Sequence, residues 1–98
     1  SEGINKLTIY KYGLYVASVA ANIKGISYQK INHIYRNLEI YSRKDIKING
    51  EDIATALGKE PGGYLKTIVN DIEEKIVLGM LSNDKDKLIK YVIDNYGG

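Results

Sequence analysis

Residues 49–66 read Asn-Gly-Glu-Asp-Ile-Ala-Thr-Ala-Leu-Gly-Lys-Glu-Pro-Gly-Gly-Tyr-Leu-Lys, and this stretch carries several helix start and stop signals in a row. Asn49 is a good N-cap, and the Asp52 side chain, three residues later, can accept a hydrogen bond from the Asn49 amide, as in a capping box. Gly58 follows the apolar run and can take the left-handed conformation that ends a helix. Pro61 suits the first turn of a new helix, because its missing N–H would be unpaired there. The stretch therefore predicts a short helix, a tight turn and the start of a long helix.

Downstream of this stretch, apolar residues recur at helical spacing in two segments. The long helix is predicted to carry the stripe Leu65, Ile68, Val69, Ile72 and Ile76 and to end near Gly79–Ser82. The pair Asn83 and Asp86 repeats the capping pattern, and it predicts a last helix with the stripe Leu88, Ile89, Val92, Ile93 and Tyr96.

Upstream, two more helices are predicted. The first runs from Ile4 to about Asn22. Its apolar face is Leu7, Tyr10, Leu14, Ala17 and Ala21. Ser27 is the expected N-cap of the second, whose stripe is Tyr28, Ile31, Ile34, Tyr35 and Leu38.

Between Leu38 and Asn49 the helical period is lost. Ile46 and Ile48 alternate with Lys47, so we expect an extended connector with both isoleucines facing inward. The predicted fold class is all-α, with about five helices. We expect a subdomain boundary at this connector, between residues 1–40 and residues 41–98. The 98 residues have room for one domain or for two helical subdomains that share a core.

Composition argues for a binding module rather than an enzyme. The chain has no cysteine, which excludes disulfides, thiol catalysis and iron–sulfur clusters, and His33 is its one histidine. Asp84 and Asp86 form an Asp-x-Asp pair, but acids at a helix start are more simply explained by capping and by the helix dipole. No Gly-rich phosphate loop is present. We expect neither a catalytic residue nor a metal site in this chain.

Charge is unevenly distributed along the chain, and no segment is apolar enough to suggest a membrane span. Residues 1–50 hold eight Lys and Arg against three Asp and Glu, whereas residues 51–98 hold six against nine, so the first half is basic. The sequence has no apolar run of membrane-spanning length and no signal segment, and a cytoplasmic location is the expectation. The chain starts with Ser rather than Met and enters a helical pattern at once, which suggests a piece of a longer protein.

The turn around Pro61 is the first candidate site. Bare backbone at Gly62 and Gly63 would leave amides open at the positive end of a helix dipole, where a phosphate can bind. The predicted binding residues here are Lys59, Gly62, Gly63, Tyr64 and Lys66, with the tyrosine as a possible stacking surface for a base or ribose. The alternative is a plain hinge in which the glycines only permit the turn.

The connector is the second candidate site. Its three cations and the neighbouring cap residue could form a strip that positions phosphates, and these residues are Arg43, Lys44, Lys47 and Asn49. The alternative is an ordinary solvated charge run.

Three motifs resemble a known family in order and spacing. They are Tyr-Ser-Arg-Lys-Asp-Ile-Lys-Ile-Asn-Gly-Glu-Asp-Ile from Tyr41, Leu-Gly-x-x-Pro-Gly-Gly from Leu57, and Ile-Val-Leu-Gly-Met-Leu-Ser-Asn from Ile76. Across residues 41 to 92 the sequence resembles the C-terminal region of bacterial class II CCA-adding enzymes, the tRNA nucleotidyltransferases. It departs from the family's Pro-Gly-Pro-x-Ile-Gly pattern, with Gly63 in place of the second Pro and Lys66 in place of the last Gly.

The resemblance implies that residues 1–40 are the end of a helical body domain and that residues 41–98 are a small helical tail domain. It also implies a non-catalytic fragment that grips the elbow and T arm of tRNA through its phosphate backbone. In that family the catalytic aspartates lie in an N-terminal head and the nucleotide-selecting Glu-Asp-x-x-Arg motif lies in a neck; neither occurs in this sequence. The parent enzyme would use Mg²⁺, ATP and CTP there, and no cofactor is expected in this chain. By position, the resemblance implies that Arg43 and Lys44 contact phosphates and that the binding turn begins at Pro61-Gly62.

Two other functions stay open at this point. The turn from Gly58 to Lys66 also has the shape of a helix-hairpin-helix DNA-binding module. The chain could instead be a structural or dimerisation module, and exposed apolar helix faces would then allow it to associate with itself.

Overall fold

The computed structural model describes residues 6–97. The helices are α1 (Lys6–Ile23), α2 (Tyr28–Arg36), α3 (Gly50–Leu57), α4 (Tyr64–Val77) and α5 (Lys85–Tyr96). A single turn of 3-10 helix, Arg43–Asp45, lies in the connector between α2 and α3. No strand occurs within the described range, so the predicted all-α class with five helices is confirmed. The predicted helix start at Ile4 lies outside the described residues.

Helix α1 is kinked at Gly13. The backbone there has φ 83° and ψ 168°, a conformation open to glycine and closed to residues with a side chain. Ala17 and Ala21 of the predicted stripe are fully buried, and Ile9, which the sequence pattern did not include, is fully buried as well. The kink therefore divides α1 into two helical pieces that both contribute to the core.

Helix α2 begins as the sequence predicts. The Ser27 side chain accepts a hydrogen bond from the Lys30 amide, which satisfies one of the amides left open at a helix start. Ile31 is buried at the centre of the stripe. Tyr28, predicted to face inward, is the first residue of α2 and is instead 56% exposed.

Helix α3 is bounded by the two predicted caps. The Asn49 side chain accepts from the Asp52 amide, and the Asp52 carboxylate accepts from the Asn49 amide, at 2.9 and 3.0 Å. Gly58 closes the helix in the left-handed conformation, with φ 66° and ψ 34°. Both predictions are confirmed.

The starts of α4 and α5 differ from the sequence prediction. Helix α4 begins at Tyr64, three residues after Pro61, because the glycine pair that follows the proline has a low helix propensity and delays the first turn. Helix α5 is capped by Asp84, which accepts from the Lys87 amide, and not by Asn83. Asn83 is not free to cap a helix, since its side chain bonds to the connector.

Packing runs from one end of the molecule to the other. Helix α1 packs against α2 and α4, and α3 packs against α4 and α5. The described chain is elongated, with extents of 49 × 23 × 22 Å. One cluster of buried apolar residues passes through it from Ile9 to Val92, and no polar or charged residue within residues 6–97 is buried. The boundary near residue 40 stays a prediction. None of the described helices combines the length and the apolar character needed to cross a membrane.

Asp71 joins the last two helices. Its carboxylate on α4 accepts hydrogen bonds from the Tyr91 and Tyr96 hydroxyls of α5, both at 2.7 Å, and from Lys75 at 2.6 Å. Burial alone would raise the pKa of Asp71, but these three donors outweigh it and lower the pKa. The hydrogen bond from Tyr96 to Asp71, together with burial, raises the pKa of Tyr96 to about 12.

Candidate nucleic-acid interface

The connector between α2 and α3 is held against α2 by Tyr41. The Tyr41 hydroxyl donates to the carbonyls of Tyr35 and Arg36 at the end of α2, at 2.9 and 3.2 Å. The Tyr41 and Tyr35 rings meet edge to face at 5.1 Å. The Tyr41 amide donates to Asp45 at 2.8 Å, which closes the 3-10 turn. The start of the connector therefore has a fixed path.

Asn83 holds the other end of the connector. Its side-chain oxygen accepts from the Lys47 amide at 3.0 Å, and its side-chain nitrogen donates to the Asp45 carbonyl at 2.9 Å. The loop between α4 and α5 is thus tied to the segment that carries the predicted cations. The backbone that presents Lys44 and Lys47 is fixed on both sides.

Arg43 is engaged within the protein. Its Nε donates to Glu73 of α4 at 3.0 Å, and its Nη2 donates to Asn70. The second Glu73 oxygen accepts from the Tyr10 hydroxyl of α1. Burial, followed by this contact with Glu73, raises the pKa of Tyr10. Arg43 therefore links the connector to α4 and α1, although its side chain is still 51% exposed.

The predicted connector residues Arg43, Lys44, Lys47 and Asn49 come together around one cleft, which we call the connector cleft. It has a volume of about 380 Å³ and lies between the connector, the start of α3 and the face of α4. Its remaining lining is Ile46, Ile48, Gly50, Asp52, Ile53, Val69 and Ile72. Lys44 and Lys47 are exposed, and neither makes an ion pair within the described part of the chain. The cleft therefore combines an apolar floor with free cations.

The turn before α4 leaves open the two amides that the sequence predicted, those of Gly62 and Gly63, and that of Tyr64 as well. The Gly62 carbonyl accepts from the Leu65 amide at 3.1 Å and the Gly63 carbonyl accepts from the Lys66 amide at 3.2 Å, so those two amides are used. The amides of Gly62, Gly63 and Tyr64 have no hydrogen-bond partner among residues 6–97. Both glycines are exposed. A Cβ at Gly63 would meet no atom within 4 Å, whereas a Cβ at Gly62 would lie 3.6 Å from the Tyr64 ring.

Tyr64 is partly committed to the turn itself. Its hydroxyl donates to the Glu60 carbonyl at 2.9 Å, and the Lys59 ammonium lies 5.6 Å from its ring centroid, a cation–π distance. Lys59 and Tyr64 line a smaller cleft of about 210 Å³. Lys59 and Lys66 are exposed and form no ion pair within the described range.

The two groups of predicted residues meet where α3 and α4 begin. A side chain at Gly50 would lie 3.3 Å from the Leu65 side chain, so the start of α3 is packed against the first turn of α4. The sequence did not predict which residues set the position of the connector, and these are Tyr10, Asn70, Glu73 and Asn83. No local pattern marks them, because Glu73 and Arg43 are 30 residues apart and Glu73 and Tyr10 are 63 apart. Among the described residues, no three His, Asp or Glu side chains are grouped so as to hold a metal ion.

Comparison with known proteins finds similarity to tRNA nucleotidyltransferases over most of the chain. Residues 1–92 match the family model described as "tRNA nucleotidyltransferase domain 2 putative". The CCA-adding enzyme of Ligilactobacillus salivarius is 36% identical over 88 residues, which cover 85% of this chain and 22% of that enzyme. Those of Staphylococcus haemolyticus and Streptococcus agalactiae are 34% and 30% identical, over 92% of this chain and 26% and 24% of their own lengths.

The resemblance to the C-terminal region of CCA-adding enzymes is thereby confirmed, and the chain spans about a quarter of the length of the relatives it matches. The family model covers most of the chain, including both ends of the connector and the whole of α4. The chain belongs to the tRNA nucleotidyltransferase family.

Proposed function

We propose that this chain is a non-catalytic, tRNA-binding part of a CCA-adding enzyme. In this proposal it holds the elbow and T arm of tRNA by the phosphate backbone, while the head domain of the complete enzyme adds CCA at the distant 3′ end. The family membership and the names of the relatives support tRNA as the partner. A cytoplasmic location belongs to the same proposal.

The observation that carries the proposal is the fixed connector. Lys44 and Lys47 are exposed and form no ion pair with any residue from 6 to 97. The backbone that presents them is nevertheless bonded to α2 through Tyr41 and to the α4–α5 loop through Asn83. A loop that is already ordered loses little conformational entropy when it binds a partner. Cations on such a loop fix the register of a nucleic-acid backbone without reading its bases.

The turn before α4 supplies a second proposed contact. Lys59 and Lys66 flank the open amides of Gly62, Gly63 and Tyr64, and a phosphate there would receive main-chain hydrogen bonds as well as charge. Because Gly50 packs on Leu65, this turn and the connector cleft lie on neighbouring helix starts. Together they can contact phosphates of one duplex arm.

The chemistry of nucleotide addition is proposed to lie in other parts of the complete enzyme, which would use Mg²⁺, ATP and CTP. The described residues do not fit a catalytic metal, since no acidic cluster of suitable geometry is present among them. We assign binding and orientation to this chain and no step of the reaction.

The test is tRNA binding by the purified chain across a series of salt concentrations. With roughly three to five phosphates neutralised, the logarithm of the affinity should fall with the logarithm of salt at a slope of about −2 to −4. Lys44→Ala and Lys47→Ala should each weaken binding and make this slope shallower by about 0.7 to 0.9.

Lys24→Ala is the matched control, because Lys24 is an exposed lysine in the turn after α1, outside both candidate sites. It should leave affinity and slope close to those of the unaltered chain. No tRNA binding at millimolar concentration, or a flat salt response, would contradict the proposal. A clear preference for duplex DNA in competition would favour the helix-hairpin-helix alternative instead.

One observation favours the structural alternative. Helix α1 exposes five large apolar side chains, Tyr12, Tyr15, Val16, Val19 and Ile23. Four of them, Tyr15, Val16, Val19 and Ile23, follow the Gly13 kink, and their spacing places them along one side of that helical piece; we call these four the α1 stripe. If packing is the only role of the chain, Lys44→Ala and Lys47→Ala in the complete enzyme will leave its affinity for tRNA unchanged.

A further inference from the structure

The connector cleft has features that phosphate binding alone does not require. Two lysines are sufficient to hold a backbone phosphate, but this cleft also has an apolar floor. Val69 and Ile46 are partly accessible, and Ile72, Ile53 and Ile48 are buried. Its volume of about 380 Å³ is in the range of small-molecule sites, roughly 300 to 1,000 Å³. A rigid helical duplex does not insert its phosphates into such a depression.

Polar groups line the same cleft beside the floor. The Asn49 side-chain oxygen is used by the Asp52 amide, whereas its NH₂ group makes no hydrogen bond within residues 6–97 and can donate. One Asp52 oxygen accepts from the Asn49 amide, and the other is open to a donor. The cleft thus offers an apolar surface, one donor, one acceptor and two cations.

This combination matches the chemistry of a single nucleotide, which has an apolar face, a polar edge and a charged phosphate. Proteins that recognise RNA bind such nucleotides where loops leave bases unstacked. We propose that the connector cleft takes one unstacked nucleotide of the bound RNA, with its base on the Ile46–Val69 floor and its phosphate at Lys44 and Lys47. This inference rests on the proposed function, and it adds a base-accepting site to phosphate binding.

The test compares two RNA ligands with each protein variant. One is a hairpin with the T-arm stem and loop; the other is a blunt duplex with the same stem and no loop. Val69→Phe fills the floor of the cleft and leaves all cations in place. It should weaken binding of the hairpin at least about fivefold, leave the duplex affinity unchanged and leave the salt slope for both ligands unchanged.

Asn49→Ser is the second variant, for the case in which the larger side chain disturbs folding. Serine keeps the helix cap and removes the donor NH₂, so α3 should stay formed while the hairpin binds more weakly. A third measurement uses the unaltered chain with 2-aminopurine at successive loop positions. One position should change its emission on binding, and this change should be lost in Asn49→Ser.

Two outcomes would overturn the inference. If the unaltered chain binds hairpin and duplex and both variants lower the two affinities equally, or lower neither, the cleft takes no base and the proposed function still holds. If the unaltered chain binds neither RNA, the proposed function fails, and the inference fails with it.

Discussion

At the scale of single residues, Gly58 and Gly63 flank the same turn but are glycine for different reasons. Gly58 has a positive φ of 66°, which strains any residue with a side chain. Gly63 has φ −60° and ψ −25°, the ordinary right-handed region. A Cβ at either position would meet no atom within 4 Å. The fold therefore requires glycine at 58 and does not require it at 63.

The pair gives a prediction that separates stability from binding. Gly63→Ala should leave the free energy of unfolding unchanged or raise it by up to about 1 kcal/mol, because alanine restricts the unfolded chain. It should weaken tRNA binding, since a methyl group would stand beside the open amides. Gly58→Ala should instead lower the free energy of unfolding by about 1 kcal/mol. Urea unfolding and tRNA titration of both variants check this, and unaltered binding by Gly63→Ala would exclude a close approach at the turn.

Arg43 fits the predicted pattern of phosphate-binding cations, but in the structure its side chain holds the connector against α4. It was predicted as a phosphate contact, which stays a prediction, and in the structure it is bonded to Glu73 and Asn70. Lys44, its neighbour, has no such partner within the described range. Removing the two side chains should therefore have different consequences.

We expect Arg43→Ala to lower the free energy of unfolding by about 1 kcal/mol, because it removes two hydrogen bonds from a half-exposed side chain. Lys44→Ala should change stability by less than about 0.5 kcal/mol. Denaturant unfolding of the two variants is the measurement. Equal stability losses would show that the contacts of Arg43 do not hold the connector.

At the scale of elements, the contact between α4 and α5 depends on ionisation. The pKa of Asp71 is lowered in the folded chain, so its contribution to stability is present above its ordinary value of 3.8 and is lost as the pH falls through the folded pKa. The pKa of Tyr96 is raised to about 12 from 10.0, so its contribution is present below 10 and is lost as the pH rises through about 12. The α4–α5 contact should weaken at both extremes.

Two variants test this. Asp71→Asn should reduce the loss of stability below about pH 4, and Tyr96→Phe should reduce the loss above about pH 10. Urea midpoints at several pH values measure both effects. Lys90→Ala is the control for an exposed ion pair, with Asp94, and should leave both pH profiles almost unaltered. If Asp71→Asn loses as much stability in acid as the unaltered chain does, Asp71 is not the group responsible for that loss.

The helix starts show what local sequence can predict at this scale. The caps at Ser27 and Asn49 were predictable, because each side chain bonds to an amide three residues ahead. The cap of α5 was predicted one residue early, at Asn83, because that side chain is taken by Asp45 and Lys47 from a distant part of the sequence. A capping pattern predicts a helix start only when no tertiary partner competes for the cap residue.

At the scale of the whole molecule, the α1 stripe is an apolar surface that no other described residue covers. Tyr15 and Ile23 are 80% and 81% exposed, although the core from Ile9 to Val92 is continuous. The chain is also long and narrow, which gives it a large surface for its size. A helix face of this kind is favourably covered by another apolar surface.

We therefore expect the purified chain to associate with a second copy of itself as its concentration rises. Val16→Glu places a charge at the centre of the stripe and should lower the apparent mass in light scattering toward that of one chain. Glu74→Gln, a substitution at an exposed position on α4, should leave the association unchanged. A mass of 11.0 kDa for the unaltered chain at every concentration would contradict this expectation.

The sequence alone determined the all-α class, the caps of α2 and α3, the left-handed end of α3 and the family. These follow from interactions within three or four residues, or from motifs with fixed spacing. Only the tertiary structure decided which cations are free and which are paired, why Asn83 does not cap α5, and that four predicted residues surround one cleft. Those features depend on contacts between residues 30 to 63 positions apart, and the local pattern of a chain does not record which distant partner folding will bring to it.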